Sequence, residues 1–550
     1  MKKMIVSVIL ILLFGAFAEG ATIFVSPGQS IQAAIDRAGP GDEVIVKPGT
    51  YPERLRLKSN LTVKSEVNRK AILDGSSLGN GTMVTGTEVS NVEINGFHIT
   101  RHTGGGIQFG GGGENIRILN NEISWQKHER VQGHAIVVYG MKWVGGIEPA
   151  RTKNVIADGN YIHDVQTGVR SAFNEALTFA WDIEGCQITN NVLERTSMIG
   201  IDLIGKVGTD NWIAGHVRGP NTIAHPRKCR IAGNRLIEAG THSMDVAIYL
   251  DGSKDVVIED NYMEGQKGHG IVTSVEGHNF TTENVIVRRN ISVNGVRNFA
   301  PTATTEWGKS KDVRMSHNTS VATIPNRNGR LLSFYNGTDL KVLNNVFYLV
   351  PGHQMLHTEN YNDWATGMFP KVDGNCWWID NNAIWQYEGK FYNSLAAFKA
   401  GTGQGKNAIG ADPQFVNIGA RDFSLKSGSP CMNSGLPLTT TPSAGSGNVV
   451  TVEDAHWFTD GYGFWDGDVI QVGKHLAKVV KIDYNLNRIE LDRSIAWSQG
   501  TPVSYPHVGG IDRGAVEHGD IPDVDTDGTN PVDPVEPVLD SPIKMRIIIK

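Results

Sequence analysis

Val256-Val-Ile-Glu-Asp-Asn261, Val285-Ile-Val-Arg-Arg-Asn290, Val313-Arg-Met-Ser-His-Asn318 and Leu340-Lys-Val-Leu-Asn-Asn345 share one frame: apolar, any, apolar, any, any, Asn. The same frame occurs upstream as Ile116-Arg-Ile-Leu-Asn-Asn121, Val155-Ile-Ala-Asp-Gly-Asn160, Cys186-Gln-Ile-Thr-Asn-Asn191 and Cys229-Arg-Ile-Ala-Gly-Asn234. From Asn234 onward the asparagines fall 27, 29, 28 and 27 residues apart, and the earlier gaps are longer, as when loops interrupt one unit. Each frame is a short alternating strand that ends at an asparagine, a residue that tolerates the left-handed backbone of a sharp turn. A fixed period in the twenties built from short strands marks a repeat architecture rather than a string of separate domains. Stacked, such coils put Val, Ile and Leu inside and the asparagines in a ladder. The expected fold is all-β: a right-handed parallel β-helix solenoid.

A chain of 550 residues is long for one ordinary domain, but a solenoid absorbs that length. Its 64 glycines suit a fold made of turns. Met1-Lys2-Lys3, the apolar run from Met4 to Phe17 and the small residues Ala16 and Ala18 have the layout of a secretory signal peptide, residues 1–21. No later stretch is long and apolar enough for a membrane span, so the mature protein is expected to be secreted, periplasmic or at the cell surface. A net charge of −6 argues against nucleic acid as partner. Four cysteines are too few for a disulfide scaffold. Cys186 and Cys229 occupy the same frame position in successive repeats, either stacked in the core or bonded to each other.

Ahead of the coils, Thr22 to Val25 reads as a strand. Ser30 then caps a short helix with Ile31, Ala34, Ile35 and Ala38 on one face, and Gly39-Pro-Gly-Asp42 stops it. Such a helix covers the open end of a solenoid. The segment from Ala21 to Tyr51 resembles the opening module of the pectin-lyase-like β-helix superfamily. Asp412-Pro-Gln-Phe415 and Asp422-Phe-Ser-Leu-Lys-Ser-Gly-Ser-Pro430 resemble the closing segment of secreted bacterial β-helix proteins. Gly510-Ile-Asp-Arg-Gly-Ala-Val-Glu517 resembles its last strand. These resemblances imply a β-helix over 22–436 with a closing strand at 509–518. Between them, 437–508 reads as a small inserted β-domain, with short strands around Val449–Val452, Asp468–Val472, Ala477–Asp483 and Arg488–Leu491. The acidic, proline-rich residues 519–550 read as a linker and tail. Within it Asp523, Asp525 and Asp527 match half of a calcium loop, but Pro534 stands where the bidentate Glu belongs.

A parallel β-helix binds ligands in a groove along an outer face, walled by lengthened loops. Gly140 to Lys153 and Gly205 to Lys228 interrupt coils in this way, which places the groove around residues 130–280. In that region Glu175, Asp202, Lys206, Tyr249, Asp251 and Glu276 fall at positions expected to point outward, with His269 just before one strand. If Gly200, Ala247 and Gly270 stack, Asp202 lies over Tyr249. Adjacent strands are about 4.8 Å apart, so such carboxylates could share a cation or a substrate. The expected assignment is Asp202, Asp251 and Glu276 on Ca²⁺, with Asp202 also in the catalytic group. Lys206, Tyr249 or His269 is the base, and Glu175, Trp212 and His216 contact substrate. Trp364, Trp377, Trp378 and Trp385 could be sugar-stacking platforms, but they lie beyond the regular coils and are expected to pack the C-terminal end.

Gly200-Ile-Asp202, Asp245-Val-Ala-Ile248, Gly268-His-Gly-Ile271 and Gly295-Val-Arg297 resemble, in order, the motif strands of the polygalacturonase family. Of that family's constellation only Asp245 and the His269-Gly270 pair are present. The Asp-Pro-His-Asp signature of mannuronan epimerases is absent. The expectation is therefore a secreted, monomeric enzyme acting on polysaccharide, first as a metal-assisted lyase of a uronate-containing glycan. A glycoside hydrolase using a carboxylate pair and a non-catalytic glycan-binding surface protein are the alternatives.

Overall fold

The computed structural model describes residues 20–124, 133–143, 147–165, 175–196, 198–207, 223–240, 245–275, 281–300, 309–324, 330–334, 337–349, 354–358, 370–379 and 384–518. Three parallel sheets run its length. The first, of 13 strands, begins at Thr22–Val25 and ends at Lys371–Asp373. The second, of 14 strands, runs from Leu55–Arg56 to Trp385–Tyr387 and closes on the antiparallel Lys390–Tyr392. The third, of 12 strands, runs from Gly49–Tyr51 to Cys376–Ile379. One coil reads Thr152–Asp158 in the first sheet, Tyr161–His163 in the third, Leu177–Trp181 in the second, then Ile183–Thr189 back in the first. This is the expected parallel β-helix, and its coils continue past residue 350.

The register follows from the alternating pattern. Val155, Cys186, Cys229, Val256, Val285, Val313 and Leu340 stack in one inward row of the first sheet. A one-residue slip would turn the whole row outward, so burial fixes the pairing. Cys186 and Cys229 are bonded to each other, and Cys376 to Cys431.

The asparagines form the ladder the sequence implies. In each step the side-chain Oδ1 of the next coil accepts the main-chain N–H and the Nδ2 of the previous one, from Asn121 through Asn160, Asn191, Asn234, Asn261, Asn290, Asn318 and Asn345 to Asn375. One expectation is corrected. The left-handed residue of the turn is the one before the ladder: Asn120, Gly159, Asn190, Gly233, Asp260, Arg289, His317, Asn344 and Gly374 all have positive φ. The ladder asparagine is instead chosen for its amide, which both donates and accepts along the stack.

The helix Ile31–Arg37 caps the first coil, with the Ser30 side chain accepting from Ala33 N–H and Ile31, Ala34 and Ile35 buried. At the other end Trp377 stacks on Phe347, and Trp385 packs on Phe398. Residues 509–518 form no strand, contrary to expectation. They fold back as irregular backbone, Arg513 donating to the carbonyls of Asn375 and Ser434 and Gly514 N–H to that of Asn344.

The insertion forms a six-stranded antiparallel sheet with its own core, including Val450, Trp457, Phe458, Ile470 and Ile489. It sits on the outer face of the first sheet. Arg288, 3% exposed, bridges Glu259 and Asp468, and Arg314 pairs with Asp454 and Asp339. Gly185 is needed here, because a Cβ would lie 2.1 Å from the Phe464 ring.

Candidate functional site

With the insertion on the first sheet, the outer face of the second sheet is where the expected site residues gather. Pairing Asp202↔Tyr249 stands as expected, and extends to Thr178 on one side and Val272 and Ala300 on the other. The next outward row is Tyr139, Ala180, Ile204, Asp251 and Ser274. At the strand starts, Ile199, Val246, His269, Arg297 and Arg330 form a third row.

The residues were expected to stand on an exposed face; they are buried instead. Glu175, Asp202, Tyr249, Asp251 and His269 are each 5% exposed or less. Tyr249 belongs to an apolar cluster with Val246, Val272, Ala300 and Ile199, outside the coil interior. His269 is held neutral: burial and the nearby Arg297 charge push its pKa down to about 3, which makes it a poor base near neutrality. Lys206 lies in a two-residue strand, Lys206–Val207, paired with Ile223–Ala224, and its side chain is outside the described residues. Trp212, His216, Glu276, Trp364, Asp523, Asp525, Asp527 and residues 1–19 of the expected signal segment also lie outside them.

One group joins Glu175 to two residues that the sequence reading did not single out. His134 Nδ1 lies 3.2 Å from a Glu175 carboxylate oxygen, 3.2 Å from the Glu175 main-chain carbonyl and 3.3 Å from Thr178 Oγ1. Its Nε2 lies 3.2 Å from the Tyr139 hydroxyl. The carbonyl can only accept, which assigns the proton to Nδ1 and makes Nε2 the acceptor for Tyr139. Burial keeps His134 neutral by lowering its pKa, with Glu175 pulling the other way. Burial and the Glu175 charge raise Tyr139 far above the ordinary phenol range, so its hydroxyl is protonated at rest. The order carboxylate, imidazole, hydroxyl is that of a proton-transfer chain, at rest with Tyr139 protonated and His134 neutral.

The strand Ile136–Trp143 carries Tyr139, and His134 just precedes it; both belong to the coil whose expected loop, Gly140–Lys153, instead continues the strand to Trp143 and pairs it antiparallel with Ile147–Pro149. That loop was the sequence signal that could have drawn attention to them. Glu175 precedes Leu177–Trp181 on the adjacent strand. Beside Tyr139, Trp181 packs at 5.5 Å between ring centroids, with Met141, Ala180 and Ile204 completing an apolar wall.

Of the expected Ca²⁺ ligands, Asp202 and Asp251 lie on neighbouring strands of the second sheet, and Glu276 lies outside the described residues. Asp202 pairs with Tyr249 and Asp251 with Ile204, so the two carboxylates occupy different rows. Among the described residues no three His, Cys, Asp or Glu side chains are grouped to hold a metal ion.

No protein-family model matches the chain. The uncharacterized protein YwoF of Bacillus subtilis (strain 168) is 26% identical over 431 residues, 74% of this chain and 88% of its own length. Among solved structures, an alginate lyase from Paenibacillus sp. str. FPU-7 is similar at TM-score 0.38 and 14% identity, covering 62% of this chain and 99% of its own. A family 28 exopolygalacturonase of Yersinia enterocolitica is similar at TM-score 0.41 and 15% identity, covering 65% and 78%.

Proposed function

We propose that this protein is an exported polysaccharide-cleaving enzyme that breaks a uronate-containing glycan by β-elimination, with Tyr139, His134 and Glu175 as its proton-transfer unit. The observation that carries this reading is the continuous Glu175–His134–Tyr139 contact on an outer sheet face. A face built of many stacked strands suits an extended polymer. Tyr139 passes its hydroxyl proton to His134 Nε2 as its oxygen takes the proton from C5 of the sugar. The C4–O bond then breaks, a C4–C5 double bond forms, the leaving O4 takes that proton from Tyr139, and His134 returns its proton to the tyrosinate oxygen. Glu175, beside the imidazole, stabilises the positive charge His134 gains in that step. Two disulfides support export, since such bonds persist in oxidising compartments. Among the described residues no helix is long and apolar enough to cross a membrane.

The test is activity of the signal-free protein on pectic, alginate, glycosaminoglycan and neutral glycans, following ultraviolet absorbance of unsaturated uronate and reducing ends together. New ends with rising absorbance, lost in Tyr139→Phe, support the reading. New ends without absorbance would turn it to a hydrolase, for which Glu175 and Asp202 on neighbouring strands are the carboxylate pair. A chelator arm tests the metal-assisted route through Asp202, Asp251 and Glu276. No cleavage of any glycan would leave a binding-only solenoid.

A further inference from the structure

Where the first sheet meets one edge of the insertion there is a cleft of about 430 Å³. That size lies within the range of small-molecule sites, about 300–1,000 Å³. Its floor carries Arg230, Arg288 and Arg289 around Glu259, and its wall is residues 464–469 of the insertion. The cleft opens to solvent, since the Arg230 and Arg289 side chains are 32% and 31% exposed.

The three arginines differ in what they leave free. Arg288 is buried and commits Nε, Nη1 and Nη2 to Glu259 and Asp468. Arg230 donates through Nε alone, to Glu259 at 2.7 Å. Arg289 donates through Nε to Asp260 and through Nη2 to Asp260 and Glu259, each at 2.8 Å. Both terminal nitrogens of Arg230 and Nη1 of Arg289 therefore have no hydrogen-bond partner among the described residues. A guanidinium only donates and keeps its charge, so these groups call for an oxygen acceptor. Glu259 already accepts from all three arginines, and Asp466 on the rim is paired with Lys478. Because Arg230 and Arg289 meet at Glu259, their forks are close enough to share one further carboxylate, and that anchoring fixes them before a ligand arrives. Trp465 lines the same wall, half-buried beside Tyr462, and supplies an aromatic surface.

We propose that this cleft is a second saccharide site, apart from the Tyr139 face, that takes one uronate unit of a glycan. Arg230 and Arg289 donate to its carboxylate, and Trp465 lies against the apolar face of the sugar ring. Binding here involves no bond breaking and does not depend on the chemistry at Tyr139.

The test is calorimetric titration of the full chain with short oligogalacturonates and oligoalginates and with their carboxyl-reduced counterparts. It is run in the Tyr139→Phe background so that cleavage does not consume the ligand. Adding Arg230→Gln is expected to weaken binding of the acidic ligands about tenfold or more, as for a lost hydrogen bond to a charged group. Binding of the reduced ligands and the thermal midpoint should not move, because Glu259 keeps Arg288 and Arg289. Trp465→Leu should weaken acidic and reduced ligands alike. Should Gln lower the midpoint, Arg230→Lys, which keeps the charge but not the fork, carries the same expectation. Unchanged affinity for the acidic ligands in these variants would overturn the site, as would a parent chain that binds none of them. An equal loss of reduced ligands in Arg230→Gln would overturn the carboxylate assignment. Unsaturated product from the wild type upholds the lyase reading under any of these results, so the two stand or fall separately.

Discussion

Replacing Asn261 by alanine tests whether the buried ladder holds the solenoid together. Asn261 Oδ1 accepts from the Asn234 main-chain N–H at 3.0 Å and from its Nδ2 at 2.9 Å. Its own Nδ2 donates to the Ile231 carbonyl and to Asn290 Oδ1, both at 2.9 Å. Alanine removes all of these. Asn234 Nδ2 keeps the Ile188 carbonyl, and Asn290 Oδ1 keeps the Asn261 main-chain N–H. The Asn234 main-chain N–H has no such substitute, at a residue 1% exposed. An orphaned buried donor costs about 1–3 kcal/mol, and the three other lost bonds about 0.5–1.5 each, so the substitution should cost roughly 2.5–7.5 kcal/mol. In a solenoid the loss is local, because each coil touches only its neighbours. Hydrogen exchange should show the Asn234 amide losing protection while Phe97, whose N–H is held by Asn121, keeps it. Denaturant melts should show a weakened or split transition. A change under about 1 kcal/mol with the Asn234 amide still protected would refute the ladder as a source of stability.

Tyr139→Phe is expected to lower turnover by roughly 10²–10⁴-fold with little change in melting, as measured by initial rates and calorimetry; near-normal turnover would remove Tyr139 from the mechanism. His134 works as the neutral base, so activity should fall on the acid side as it protonates below the ordinary histidine range, and His134→Gln should abolish that limb along with most activity. Burial holds His269 and His317 down to about 3, well under the unfolded value of about 6.5, so the unfolded chain binds the extra protons between those limits. Stability should therefore be full above about pH 6.5 and decline toward pH 3, a trend that His317→Gln should weaken in urea melts. Asp468→Ala strips Arg288 of one buried partner and should cost about 3–5 kcal/mol at the seat of the insertion, opening 437–508 to protease. An insertion that stays resistant would show that the pair does not hold it in place.

What the sequence determined by itself is the coil. Alternating apolar residues and the Asn frame act over six residues, so the strand, its inward face and the ladder are all local. The stacking Asp202↔Tyr249 follows from the same repeat once one coil is aligned on the next. Asn375 belongs to the ladder although its frame, Pro370-Lys-Val-Asp-Gly-Asn375, opens on a proline instead of Val, Ile, Leu or Cys. The turn conformation was misplaced by one residue because both neighbours of each turn are often Asn or Gly, and only the backbone separates the role of amide donor from that of left-handed corner.

The site was decided by the tertiary structure. His134 and Glu175 lie 41 residues apart and meet because two coils are stacked with a long loop between them, a length that no motif records. Asp202, Tyr249 and Asp251 do face outward as alternation predicts, but alternation cannot tell an exposed outer face from a covered one. Burial of Tyr249 and His269 changes what those groups can do. Local pattern sets which way a side chain points, whereas its proton affinity and its partners are set by whatever the chain brings against it from afar.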